Sequence, residues 1–222
     1  MSFLQQFTVL FFKGITNLIC QIDDNQLKKI PERGPMILVT NHVNILEIPI
    51  IYTHLHPRPI NGMVWAERWE HAWSRWLLNV CEAIPLRRGE ADIASLRKGL
   101  DLLNAGHILI ISPEGTRSGD GRLQPAHPGV VLLGSHSGAP LLPVTYHGSE
   151  YYKQNIRNFK RTDFHITVGK PFRLNTKGIK VTQSVRRQIL DEIMYQLSTL
   201  LPPVYRGVYS NLSLATQQYL SF

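Results

Sequence analysis

The most constraining feature of the chain is an alternation of short apolar runs with longer stretches of helical periodicity. Met36–Thr40 (MILVT), His107–Ile111 (HILII) and Leu141–Tyr146 are bounded by Gly, Pro or polar residues and read as buried strands. Pro59–Val64 and the alternating Phe164–Gly169 add two more. Between them lie stripes of period 3.6. Asp92–Ala105 carries Ile93, Leu96, Leu100 and Leu103 on one face, with Gly106 suited to the C′ position. Val181–Leu201 does the same with Val185, Ile189, Ile193, Leu197 and Leu200. Asn44–His56 and Ala126–Ser137 also read as helices. Strands alternating with helices specify an α/β domain. A length of 222 residues suits a single domain. It divides into an N-terminal helical region (1–30), a core (31–201) and a weakly patterned tail (202–222) expected to be partly loose.

Charge narrows the partners. The chain carries 24 Lys and Arg against 16 Asp and Glu, a net +8, which points to an anionic surface or a phosphate ester. The basic residues are scattered pairs without a nucleic-acid motif, so nucleic acid is not expected. Cys20 and Cys81 are too few and too far apart for a disulfide framework or a cysteine zinc site and read as buried thiols of a reducing compartment. His54 and His56 lack a third ligand, so no metal is expected. No apolar run is long enough to span a bilayer. Phe3, Phe7, Leu10, Phe11, Ile15, Leu18 and Ile19 recur at helical spacing, as in an amphipathic helix lying on a membrane or packed on the domain's own core. All four tryptophans, Trp65, Trp69, Trp73 and Trp76, are spaced as if on one helical face, for the lipid boundary or an acyl chain.

Three segments at strand ends or in loops carry chemistry. In Thr40–Glu47 a histidine follows a strand and a carboxylate follows five residues later. On one regular helix the two would diverge by about 140°, so Glu47 can orient His42 only if His42 precedes the helix. Ala83–Gly89 carries an apolar run that ends on Arg87 and Arg88, permanent charges suited to a phosphate. Ser112–Ser118 (SPEGTRS) follows HILII, with glycine allowing close backbone approach and Thr116, Arg117 and Ser118 supplying donors. Gly134–Gly138 holds histidine at its centre and is no serine nucleophile elbow.

In order, NHVNILE, EAIPLRR, SPEGTRS and APLLPV resemble the four motifs of the glycerolipid acyltransferase superfamily, the lysophosphatidic-acid acyltransferase type, over about residues 30–150. Glu47 stands where that family has aspartate, Glu82 where it has glycine and Ser112 where it has phenylalanine. The resemblance implies an α/β domain with a central mixed sheet flanked by helices and an N-terminal amphipathic membrane-surface helix. It implies direct acyl transfer from a thioester, acyl-CoA or acyl-ACP (acyl carrier protein), to the hydroxyl of a lysophospholipid, without a bound cofactor. His42 would be the general base and Glu47 its orienter. Arg88, Glu114, Gly115, Thr116 and Arg117 would bind the acceptor. The enzyme would sit peripherally on the cytoplasmic face of a membrane. Two alternatives stand beside this: the same fold acting on a different lipid alcohol, or an inactive lipid-binding homologue.

Overall fold

In chain order, the computed structural model, which describes residues 3–87 and 92–222, holds α1 (Phe3–Ile19), β1 (Cys20–Asp23), β2 (Met36–Thr40), α2 (Glu47–Leu55), β3 (Ile60–Trp65), α3 (Ala72–Val80) and β4 (Ile84–Leu86). There follow α4 (Ile93–Asn104), β5 (Ile108–Ile111), α5 (Gly129–Ser137), β6 (Leu141–His147), α6 (Tyr152–Arg157), β7 (Thr162–Val168), β8 (Arg173–Leu174), α7 (Gln183–Leu200) and β9 (Leu220–Ser221). Seven strands form one mixed sheet in the order β1-β7-β6-β2-β5-β3-β4. Only β6–β7 is antiparallel, His147 facing His165; the other pairs are parallel. A parallel sheet must be covered on both faces, which is why β2 is buried at every residue.

Alternation along β2 sends Ile37 and Val39 into one core and Met36 and Leu38 into the other. The first core is closed by α5 and α7, with Val130, Ile189 and Ile193. The second is closed by α2, with Ile50, Ile51 and Leu55. Helix α4 begins where the Asp92 carboxylate accepts the Ser95 N–H at 3.0 Å, and that donor holds the carboxyl below its ordinary range. Helix α5 ends on Gly138 at φ 60°.

Several expectations are corrected. The helix expected from Asn44 starts at Glu47, because the Asn44 side chain accepts the Leu46 N–H at 2.8 Å and turns the chain first. The four tryptophans do not share one helical face: Trp65 ends β3, Trp69 lies in a 3₁₀ turn (Ala66–Trp69), and only Trp73 and Trp76 lie together in α3. The spacing is helical, but β3 continues through Trp65, pairing it with Leu86. Strands β1 and β4, too short to show a pattern, were not expected.

The tail is not loose. The Glu192 carboxylate, 1% exposed, accepts the Thr216 hydroxyl at 2.7 Å and the N–H groups of Gln218 and Tyr219 at 2.9 Å each. Tyr209, Tyr219 and Leu220 complete the α5–α7 core. Short 3₁₀ turns carry this segment, so it has no period to read. Helix α1 does present an apolar face, with Leu10 71% and Leu18 75% exposed, while Thr8, Val9 and Thr16 turn inward. Trp73 is 59% exposed beside it, and Phe12 meets Trp76 with ring centroids 6.3 Å apart. Among the described residues no helix is long and apolar enough to cross a membrane.

Candidate active site

The loops after β2, β5 and β6 meet at the carboxyl end of the three central strands, where open α/β sheets carry ligands. His42 lies two residues past β2 and Glu47 is the first residue of α2, so the chain turns between them as their pairing requires. His42 Nδ1 and Glu47 Oε2 are 2.8 Å apart. The Asn44 N–H fixes the carboxylate from behind, at 3.0 Å from Oε1 and 3.1 Å from Oε2. An ionised carboxylate only accepts, so Nδ1 carries the proton and Nε2 is left as the basic nitrogen.

His42 and Glu47 both line a cavity of about 480 Å³ between the sheet, α1, α2 and α3. Its walls are mostly apolar, with Phe12, Ile15, Ile45, Met63, Leu77 and Leu78, and Gly115, Thr116 and Arg117 stand at the His42 end of the same cavity. The site thus combines one oriented imidazole, a guanidinium and an apolar volume. It can take a proton from a bound hydroxyl, hold an anion and shelter a hydrocarbon chain.

The loop after β5 is bound to the loop after β2. Ser118 N–H donates to His42 O at 2.8 Å and Gly119 N–H to Val43 O at 3.0 Å. Thr40 and Ser112 hydroxyls meet at 2.9 Å. Gly115 has φ 63°, and a Cβ there would lie 3.1 Å from His127 and 3.3 Å from Trp65. Glycine is needed on both counts, and the Trp65 indole N–H donates to its carbonyl.

Glu114 is corrected. Expected to bind substrate, it is 1% exposed and lies outside the cavity lining. Its Oε1 accepts the His42 N–H at 2.9 Å and its Oε2 the Gln124 N–H at 2.8 Å. It is a brace that ties the His42 backbone to the loop after β5. Burial pushes its carboxyl up to about 7, against the pull of those two donors. Arg88 lies outside the described residues, as do Gly89, Glu90 and Ala91.

Residues that the sequence reading missed are mostly amides and hydroxyls. Asn41 is paired to the Tyr146 backbone in both directions, at 2.9 and 2.8 Å, as an extra strand residue would be. The Asn44 side-chain amide donates to Ser149. The only signal for these was their place directly after apolar strands.

A sequence profile of the Acyltransferase family matches residues 21–147. The chain is 32% identical over 141 residues to the chloroplast 1-acyl-sn-glycerol-3-phosphate acyltransferase BAT2 of Brassica napus, covering 57% of this chain but only 37% of that protein. It is 24% identical over 144 residues to the 1-acyl-sn-glycerol-3-phosphate acyltransferase of Bacillus subtilis, covering 65% of this chain and 70% of that one. The chain therefore spans about a third of the first relative and over two thirds of the second. The crystal structure of the 1-acyl-sn-glycerophosphate acyltransferase PlsC from Thermotoga maritima shares the fold, with TM-score 0.59 at 20% identity over 85% of this chain and 76% of that one.

Proposed function

The chain belongs to the acyltransferase family, and on that premise we propose that it moves a fatty acyl group from a thioester to the free hydroxyl of lysophosphatidic acid or a related lysophospholipid. The observation that carries this reading is the 2.8 Å pairing of His42 with Glu47 at the end of an apolar cavity that Arg117 also lines. The acceptor's phosphate sits against Arg117, with Thr116 beside it and Arg88 as the second cation the sequence offers. Its hydroxyl then reaches His42 Nε2. His42 takes the hydroxyl proton as the oxygen attacks the thioester carbonyl, and the tetrahedral intermediate collapses by expelling the thiolate. The proton leaves His42 for that sulfur. Glu47 holds the imidazole in one tautomer and favours the transient imidazolium. No acyl-enzyme is required. Cys81, the one cavity-lining thiol, is pushed up to about 12 by burial and is no ready nucleophile.

The acyl chain fits the apolar cavity, where each buried methylene contributes about 0.8 kcal/mol. Acyl-CoA or acyl-ACP would serve as the donor. The exposed face of α1, with Phe7, Leu10 and Phe11 beside Trp73, supports attachment to a membrane surface, and the net charge of +8 favours anionic lipid. Mass spectrometry of products from mixed acyl thioesters and lysolipids tests the reading. The expected product is a diacyl phospholipid that His42→Ala does not form. Acylation of phosphate-free lysolipids alone would shift the reading to a different lipid alcohol, and no acylation at all would leave a lipid-binding protein.

A further inference from the structure

The turn after β6 lies just beyond the stretch matched by the family profile, which ends at residue 147, yet it reaches the His42–Glu47 pair. Gly148 has φ 92°, and a Cβ there would sit 2.2 Å from the Asp163 carbonyl oxygen, so only glycine lets the chain leave β6 in this direction. The turn delivers Ser149, 0% exposed, against the carboxylate of Glu47. Its hydroxyl is 3.3 Å from Glu47 Oε1 and 2.9 Å from Asn44 Nδ2, and its carbonyl accepts that same amide at 2.8 Å.

The hydrogen-bond directions in this group are determined. Asn44 Oδ1 accepts the Leu46 N–H, so the nitrogen is the end of the amide that faces Ser149. That nitrogen can only donate, so the serine oxygen accepts from it. The single hydroxyl proton is left for Glu47, which can only accept. Asn44, Ser149 and Glu47 thus form a closed ring with the Asn44 N–H on the carboxylate.

We propose that Ser149 is a positioning residue for this site: its buried hydroxyl, held by Asn44, fixes the Glu47 carboxylate that orients His42. The proposal rests on the reading of His42 as the base. It assigns to the β6 turn a share of the geometry that the loop after β2 cannot set alone, since Glu47 carries one methylene more than an aspartate and has that much more freedom to swing.

The test compares Ser149→Ala with wild type, using an acyl-CoA and lysophosphatidic acid, alongside proton NMR of the imidazole Nδ1–H. Ser149→Cys, similar in size and a weaker donor, is the second variant. With one hydrogen bond to a charged group lost, kcat should fall about threefold to tenfold with KM for both substrates unchanged. The Cys variant should fall between. The downfield Nδ1–H resonance of wild type should broaden by exchange with water in Ser149→Ala. Unchanged kcat and an unchanged resonance would overturn the proposal, as would a raised KM at constant kcat, which marks a substrate contact instead. The two readings fail separately: full turnover in His42→Ala removes the base, whereas the NMR comparison judges Ser149 without turnover.

Discussion

At the scale of single residues, two carboxylates near His42 do different work, and their substitutions separate them. Glu47→Asp keeps a charge beside Nδ1 and should retain most of the rate, whereas Glu47→Gln replaces one acceptor oxygen by a donor among donors and should slow turnover by about a hundredfold or more; steady-state assays of the two variants check this. Glu114 acts on stability. An unfolded carboxyl loses its proton in the ordinary carboxylate range, but in the folded chain burial holds it to about 7. Between those limits the folded state binds more protons, so this group makes stability fall as pH rises. Glu114→Gln abolishes that contribution. Thermal melts from about pH 5 to about pH 8 should show wild type losing stability relative to Glu114→Gln as pH rises, then levelling above about 7. Both carboxylates were legible in the sequence as chemistry. The pairing of Glu47 with His42 was legible too; that Glu114 braces backbone was not, because a role set by which N–H groups face a carboxylate depends on folding distant loops together.

At the scale of elements, the long helices and central strands were readable because their periods are long enough to repeat. Helix α4 shows its stripe and cap in sequence, and β2 its apolar run. Strands β1 and β8, of four and two residues and without an unbroken apolar run, show no pattern and owe their place to a neighbour. The tryptophan segment shows the converse: helical spacing was present, but β3 pairing with β4 took Trp65 into the sheet. The exposed face of α1 has a consequence for membrane affinity. Leu10→Glu with Leu18→Glu should leave the fold intact, since both side chains face solvent. At roughly 1 kcal/mol each, the pair should weaken binding to anionic vesicles by about tenfold or more. Co-sedimentation measures it, and undiminished binding would turn attention to α3 instead.

At the scale of the whole molecule, two cores on opposite faces of one sheet make the fold, and the last residues belong to one of them. Glu192 gathers three donors from the tail. Glu192→Gln should destabilise the protein by about 2–4 kcal/mol, read from denaturant unfolding, because at least one donor would face an amide N–H₂. The same accounting explains why the tail was unreadable: it is ordered by one buried carboxylate and by side chains such as Tyr209 and Tyr219, not by any local repeat. The hydrogen bonds from Ser118 and Gly119 to His42 and Val43 reach further. They tie the loop that carries His42 to the loop that carries Arg117, at the ends of the neighbouring strands β2 and β5. On the helical side of the cavity the contact is instead between rings, Phe12 of α1 against Trp76 of α3.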